Sequence, residues 1–155
     1  MSIAPTLQRY LDQKVTYEVI QHEPTVSSTR TAEVCHLSGD CVAKGIVLRR
    51  DGSYLLAVLP ASHRIHLQDL RTQLDDNVEL ATEEEIAQLF RDCVRGAVPA
   101  VGECYGIEVI VDDSIDMQSD VYMEGGDHAT LVHVDHGQFA RLNLEAQHGR
   151  FSAHD

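Results

Sequence analysis

The segment at residues 41–61 constrains the fold of this chain more than any other part of the sequence. Two apolar runs flank the dipeptide Asp51-Gly52 there. Such a dipeptide between apolar strands is typical of a tight β-hairpin, because aspartate and glycine tolerate the backbone angles of a two-residue turn. With the turn centred on these two residues, the expected pairs across the hairpin are Arg50 with Ser53, Leu48 with Leu55, and Lys44 with Leu59.

The rest of the chain mixes helix and strand patterns without strict alternation. Helical spacing or capping residues predict helices at residues 7–11, 28–36, 66–74, 83–90 and 136–142. Short apolar runs predict strands at residues 17–19, 107–111, 121–123 and 129–134, and the polar tail at 145–155 is expected to fray. This order predicts a mixed α/β fold, with helices packed around a mixed or antiparallel sheet, in one domain spanning residues 1–155.

The composition is that of an ordinary globular chain. The 155 residues are 43% apolar and 24% charged, which argues against disorder. No apolar run approaches ~18 residues, and no basic start precedes an apolar stretch, so neither a membrane span nor a secretory signal is expected. The four cysteines form no C-x-x-C pair and are expected to be reduced structural thiols. A soluble cytoplasmic protein is therefore the expectation.

The net charge of −13 is concentrated in the second half of the chain. Residues 1–71 hold eight basic and seven acidic side chains, whereas residues 72–155 hold four and eighteen. Because phosphate contacts need positive charge, this balance disfavours nonspecific nucleic-acid binding, and DNA is not an expected partner. A polyanionic partner would be expected to bind residues 1–71. The alternative interpretation is a solvated acidic surface that binds no such partner. The candidate contacts are Arg30, Arg49, Arg50, Arg64 and Arg71.

Lys44 is the most informative single residue. The chain has only two lysines, and this one lies inside the first strand of the hairpin. Period-two counting places it on one face with Val42, Ile46 and Leu48. Burial there would lower the pKa of the lysine and leave a poorly hydrated ammonium, suited to polarising a carbonyl or binding a phosphate. The alternative is a strand lysine whose ammonium reaches solvent.

Two glycine-containing segments could line a site. The sequence Gly-Ala-Val-Pro-Ala-Val-Gly at residues 96–102 predicts an ordered loop that presents backbone groups to a small ligand, with a plain turn as the alternative. It lacks the G-K-[ST] ending of a phosphate loop. At residues 125–128, Asp127 could orient His128 as a general base or substrate-binding pair, and a simple hairpin turn is the alternative there.

Nine histidines raise the question of a metal site. The pairs His63/His66 and His133/His136 have i,i+3 spacing, yet H-x-x-H without a glutamate partner falls short of known zinc signatures. A serine hydrolase is disfavoured because no G-x-S-x-G elbow is present. We therefore expect no metal and no cofactor, with a histidine-rich metal-binding protein as an open alternative.

Taken together, these segments resemble the YbaK-like family, the editing domains associated with prolyl-tRNA synthetase. The resemblance covers roughly residues 7–142, and the order and spacing of its short motifs make it specific. The matching stretches are HEPTVSS with the following Thr31-Ala32, VAKGIVL, LLAVLPASHR, GAVPAVG, YGIEVIVDDSI and VYMEGGDHATLVHV.

The resemblance implies a curved, partly barrel-like mixed sheet surrounded by helices, and hydrolysis in trans of the ester of mischarged aminoacyl-tRNA. Lys44 matches the lysine that members need for activity, and Gly96 begins the loop that holds the aminoacyl group. The implied partners are the tRNA 3′ end and, as a candidate, an aminoacyl-tRNA synthetase, with no membrane. The residues expected to bind substrate are Thr31, Val42, Ile46, Leu59, Ser62, His63, Ala97, Val98, Pro99, Gly126, Asp127 and His128.

In the implied mechanism, Lys44 contacts the terminal phosphate or the developing oxyanion, and water attacks with help from a ribose hydroxyl. Val42, Ile46 and Leu59 would select small amino acids by size. One position departs from the family pattern, because Ala100 stands where the G-x-x-x-P loop usually has proline. This departure favours the alternative of a module that binds aminoacyl-tRNA or a nucleotide without hydrolysing it.

Overall fold

The computed structural model describes residues 2–155. Four of the six α-helices in this range begin at a residue whose side chain caps the first turn. The Ser27 hydroxyl accepts a hydrogen bond from the Arg30 amide at the start of one helix, and Thr82 forms a reciprocal capping box with Glu85 at another. The helices are α1 (Pro5–Lys14), α2 (Ser28–Val34), α3 (Leu67–Leu74), α4 (Glu83–Leu89), α5 (Asp113–Asp116) and α6 (His136–Leu142), with 3₁₀ turns at Gly39–Cys41 and Glu103–Tyr105. None of these helices is both long and apolar enough to cross a membrane.

Most of the strands join one mixed sheet. The strands are β1 (Glu18–Gln21), β2 (Val42–Arg50), β3 (Ser53–Pro60), β4 (His63–Ile65), β5 (Glu79–Leu80), β6 (Glu108–Asp112), β7 (Asp120–Glu124), β8 (Thr130–Asp135), β9 (Gln147–Gly149) and β10 (Ser152–His154). The sheet order is β1-β8-β7-β2-β3-β6-β9, with β5 also paired to β2, and β10 pairs with β4 separately. Parallel pairs join β2 to β7, β3 to β6 and β6 to β9, and the other pairs are antiparallel. The expected mixed sheet with surrounding helices is confirmed.

The hairpin forms in the expected register. Arg50 lies opposite Ser53, and Lys44 lies opposite Leu59. The turn glycine, Gly52, has a φ of 75°, a conformation that glycine adopts without a steric penalty. The Asp-Gly turn therefore fixes which residues of β2 and β3 face each other.

Strand β3 is buried on both faces. Leu56 and Val58 belong to an apolar cluster that also contains residues of α1 and α6, whereas Leu55 and Leu59 pack in a second cluster with Leu70 of α3. A strand covered on both faces has a continuous apolar sequence rather than an alternating one. The two clusters also pack against residues of β2, and the candidate site lies at the start of that strand.

The expectation that the tail frays is wrong. Residues 147–149 extend the main sheet beside β6, and residues 152–154 pair with β4. Between them Phe151 is fully buried in the second apolar cluster, and the carboxylate of Asp112 accepts a hydrogen bond from its amide. One buried aromatic side chain anchors this otherwise polar segment.

Candidate active site

A cavity of about 320 Å³ lies between α2, the start of β2, the loop at residues 96–102 and the turn between β7 and β8. Both polar and apolar side chains line it, as is usual for a site that orients a small ligand. The lining residues are Ser27, Ser28, Thr29, Thr31, Val42, Ala43, Lys44, Gly45, Gly96, Val98, Glu124, His128 and Leu131.

Lys44 is half-buried at this cavity. Its Nζ donates hydrogen bonds to the carbonyl oxygen of His63 at 2.7 Å and to that of Ala61 at 3.5 Å. Burial lowers the pKa of the ammonium, and Asp155 opposes this effect more weakly. The two carbonyls use two of the three N–H donors of the ammonium and fix its position. A cation held in this way can meet a negative oxygen without reorganising first.

Gly45 allows the loop at residues 96–102 to contact β2. A Cβ atom at this position would lie 2.9 Å from the carbonyl oxygen of Pro99 and 2.9 Å from Leu56 Cδ1. It would also lie 3.2 Å from Val98 Cγ1. Only glycine therefore permits this approach, which brings the loop into the cavity wall beside Lys44.

Gly96 and His128 are neighbours in the cavity wall. Both residues have positive φ, 84° for Gly96 and 64° for His128, so the chain turns sharply at each. The His128 Nε2 lies 2.8 Å from the carbonyl oxygen of Arg95. Because a carbonyl only accepts, Nε2 carries a proton, and in the neutral ring Nδ1 is then the acceptor.

Glu124 caps the backbone amides of the turn that carries His128. One carboxylate oxygen of Glu124 accepts hydrogen bonds from the amides of Gly126, Asp127 and His128, at 2.8 to 3.1 Å. The idea that Asp127 orients the His128 ring is wrong, because the ring is held by the Arg95 carbonyl.

The carboxylate of Asp127 stabilises the turn and the N-terminal segment instead. It accepts hydrogen bonds from the amides of Ser2 and Ala129 and from the Thr130 hydroxyl. Burial alone would raise the pKa of Asp127, but these hydrogen bonds outweigh burial, and the pKa lies below its usual value. Asp127 is therefore ionised and structurally engaged.

Helix α2 contributes hydroxyl groups to the cavity. Thr31 is buried, and its hydroxyl bonds the carbonyl oxygen of Ser27 at 3.0 Å and the Thr25 hydroxyl at 2.6 Å. These contacts hold the first turn of the helix, where Ser28 and Thr29 also line the cavity. The helix thus presents a polar wall opposite the loop.

The structure brings together only some of the expected site residues. Those lining the cavity are Thr31, Val42, Lys44, Gly96, Val98 and His128. Ile46 and Leu59 pack instead in the cluster beside α3, and Ala97 and Pro99 are buried residues of the loop that do not line the cavity. Gly126 lies against Ala4 and Cys93. Ser62 and His63 lie beside Asp40 and the last strand, although the His63 carbonyl holds Lys44.

Sequence reasoning missed Gly45 and Glu124. Gly45 was part of the VAKGIVL stretch but had no role assigned to it. Glu124 directly precedes Gly125-Gly126, and a carboxylate at the start of such a turn is a signal for capping of backbone amides. The hydroxyl groups of Ser28 and Thr29 had no signal beyond their position at a helix start.

The five candidate arginines each have a partner within the described chain. Arg30 pairs with Glu33, and Arg64 with Asp155. Two others bridge pairs of acidic side chains, and the fifth donates to a backbone carbonyl. A polyanion would have to compete with these partners, so the first half of the chain offers a weaker electrostatic surface than its charge balance indicates.

The cysteines offer no activated nucleophile. All four are free thiols. Burial raises the pKa of Cys93 to about 11 and that of Cys104 to about 12, so both are protonated at neutral pH. Burial likewise raises the pKa values of Cys35 and Cys41.

The sequence and the fold were compared with those of known proteins. The model of the aminoacyl-tRNA editing domain matches residues 22–142. No curated protein gave a match. Among solved structures, a protein described as a candidate trans-editing enzyme for prolyl tRNA synthetase superimposes with a TM-score of 0.85 at 19% identity, covering 97% of this chain and 96% of that one.

Two further solved structures share the fold. The hypothetical protein APE2540 gives a TM-score of 0.84 at 19% identity, with 96% of this chain and 99% of that chain covered. A candidate signal transduction protein from Marinobacter aquaeolei VT8 gives a TM-score of 0.76 at 18% identity, with 96% and 30% covered. The structural matches show the fold, and the family model spans most of the sequence. The resemblance inferred from the motifs is therefore confirmed, and the chain belongs to the aminoacyl-tRNA editing domain family.

Proposed function

We propose that this chain is a single-domain enzyme that hydrolyses, in trans, the ester bond between a small amino acid and the tRNA to which it is wrongly attached. The observation that carries the proposal is that the half-buried Lys44, whose ammonium is held by the His63 carbonyl, lines the same cavity as Gly96. Membership of the editing family and the fold shared with a candidate trans-editing enzyme support it.

The size of the cavity favours a small aminoacyl group. Its volume of about 320 Å³ lies at the lower end of the roughly 300–1,000 Å³ range of small-molecule sites. Val42, Val98 and Leu131 supply its apolar lining. These three side chains take the size-selecting role that the sequence suggested for Val42, Ile46 and Leu59. Because one methylene is worth only ~1–3 kcal/mol to a synthetase, separate hydrolysis of misacylated product adds fidelity.

The chemistry needs no protein nucleophile. Water attacks the ester carbonyl, the neighbouring ribose hydroxyl assists, and the Lys44 ammonium stabilises the oxyanion or the terminal phosphate. The backbone at Gly96 binds the aminoacyl group. His128 lines the same cavity, and since its Nε2 donates to the Arg95 carbonyl, the Nδ1 of the neutral ring is left as an acceptor that would suit the α-ammonium group or the attacking water. The raised pKa of Cys93 agrees with a mechanism that uses no thiolate.

The contact with tRNA is proposed to be limited to its 3′ end. The net charge of −13 opposes a wide phosphate-binding surface, and the candidate arginines are engaged with other groups. A synthetase that binds the tRNA body would offset this weakness, and prolyl-tRNA synthetase is the partner proposed from the described role of the structural relative.

Ala100 gives no reason to prefer a binding module. It is fully buried in the apolar core, and it is not among the residues that line the cavity. The decisive assay is deacylation of tRNA charged with alanine, serine, cysteine or proline. We expect faster loss of at least one of these esters than in buffer alone. Binding of aminoacyl-tRNA with no acceleration for any of them would favour the module instead.

A further inference from the structure

Outside the cavity, three side chains with metal-ligating atoms converge at the end of the smaller sheet. One ligand atom from each of Asp40, His63 and His154 lies within 4.8 Å of those of the other two. Asp40 and His154 are 114 residues apart, so only the folded chain brings them together. The H-x-x-H pairs in the sequence do not form this cluster, because His66 pairs with Asp69 instead.

Regular backbone pairing places the two histidines together. His63 of β4 and His154 of β10 are direct partners in the antiparallel ladder. Directly opposed residues have Cβ atoms about 4.5–5.5 Å apart, close enough for two imidazoles to share one ion. The two rings lie with their centroids 4.4 Å apart. Asp40, in the 3₁₀ turn before β2, closes the third side.

Hydroxyl groups already orient the ligands. His63 is buried, and its Nδ1 bonds the Ser152 hydroxyl at 2.8 Å, which directs Nε2 away from that serine. Asp40 accepts a hydrogen bond from the Ser62 hydroxyl and lies 2.8 Å from His154 Nε2. Outer contacts of this kind fix ligand orientation in metal sites. Two imidazoles and a carboxylate form a set typical of zinc with an open fourth position.

We propose that Asp40, His63 and His154 bind a divalent transition-metal ion of the Zn²⁺ class. Imidazole nitrogen suits zinc, cobalt and nickel, whereas magnesium and calcium select oxygen ligands. Such an ion joins β10 to β4 and so holds the C-terminal segment. None of the three side chains lines the cavity, so the ion would not touch the substrate, although the backbone carbonyl of His63 also holds Lys44. It departs from the expectation of no metal, which rested on spacing within short sequence segments.

The test is thermal unfolding of the tag-free full chain, titrated with ZnCl₂ after chelation. At a free Zn²⁺ concentration 100 times the Kd, we expect the Tm to rise by about 5–10 °C. Co²⁺ should give visible d–d absorption on binding, and Mg²⁺ at the same concentration should leave the Tm unchanged. Absence of any rise with Zn²⁺ would overturn the proposal, as would an equal rise with Mg²⁺.

Two variants and one control assign the ligands. His154→Ala and Asp40→Asn change exposed or partly exposed side chains, and each should weaken Zn²⁺ binding at least about 10-fold. His148→Ala is the control, because His148 lies near the same end of the chain, is exposed and bonds Asp116, which is not one of the proposed ligands. It should bind Zn²⁺ like the wild type. Equal affinity in all three variants would show adventitious binding by other histidines and overturn the proposal.

Discussion

Replacing Gly45 by alanine should displace the loop at residues 96–102 and reduce activity more than stability. The added Cβ would lie 2.9 Å from the Pro99 carbonyl oxygen, closer than real Cβ contacts come. Leu56, at the same distance, is fully buried and has little room to move. Either β2 or the loop must therefore shift by several tenths of an ångström. Overpacking of this kind costs about 1–3 kcal/mol of unfolding free energy.

For a domain of this length, that destabilisation corresponds to a fall in Tm of about 2–12 °C. The effect on catalysis should be larger, because a misplacement of ~1 Å at a reacting centre can reduce the rate about 10²-fold. The assay is single-turnover deacylation of the best substrate from the four-tRNA screen, measured beside thermal unfolding. Far-ultraviolet circular dichroism should show an unchanged fold.

The matched control is Gly137→Ala in α6. Its new Cβ would meet Asp135 at 3.6 Å, an ordinary contact, and alanine is a better helix former than glycine. This variant should keep full activity and an equal or higher Tm. If Gly45→Ala turns over substrate at the wild-type rate with an unchanged Tm, the close approach of loop and strand has no part in the site.

Three further predictions concern the tail, the sheet edge and metal. Phe151→Ala should lower the free energy of unfolding by about 3–5 kcal/mol, because this ring is fully buried. The control is Val26→Ala, since Val26 is 91% exposed, and it should change the free energy of unfolding by no more than about 0.5 kcal/mol. Chemical denaturation of both variants measures the two values. Burial lowers the pKa of His133, but hydrogen bonds to Asp120 and Glu18 outweigh it and raise the pKa above 6.5. The protonated His133 ring therefore stabilises the fold fully at pH values below its pKa in the unfolded chain, and this stabilisation is lost as the pH rises through its pKa in the folded chain. His133→Gln should lower the Tm more at pH 5.5 than at pH 8.5, and an equal fall in Tm at both pH values would contradict this. Chelation should leave deacylation within about twofold of its starting rate, because none of the three proposed ligand side chains lines the cavity and Lys44 is held by the backbone carbonyl of His63, not by its ring. A much larger loss of activity that added metal restores would contradict the lysine-centred mechanism.

The parts of the fold that the sequence predicted are those fixed by local signals. The Asp51-Gly52 turn determined the hairpin register, and the helix predicted at residues 136–142 forms at those bounds, where Asp135 caps its first turn. The short strands at residues 147–149 and 152–154 carry no such pattern. They form because distant strands offer backbone partners and because Phe151 fills a space in the core.

The candidate site shows the same division. Lys44 and the loop after Gly96 were identified from motifs, and the structure brings both to one cavity. Ile46 and Leu59 were placed on the strand face of Lys44 correctly, but α3 and Phe151 cover that face further along β2. The alternation of side chains along a strand predicts which face of the sheet a residue lies on, but it does not predict which other elements pack against that face. The role of Glu124 depends on three backbone amides that point at it only after the turn has folded.

The central claim is that the half-buried ammonium of Lys44 promotes ester hydrolysis, and Lys44→Ala tests it most directly. The measurement is the deacylation rate on the best misacylated tRNA, beside Lys14→Ala, which alters the other lysine of the chain at the end of α1. Loss of one preorganised charge at a developing oxyanion should reduce the rate by about 10²–10³, with the Tm maintained, while Lys14→Ala matches the wild type. Near-normal turnover by Lys44→Ala would contradict the account.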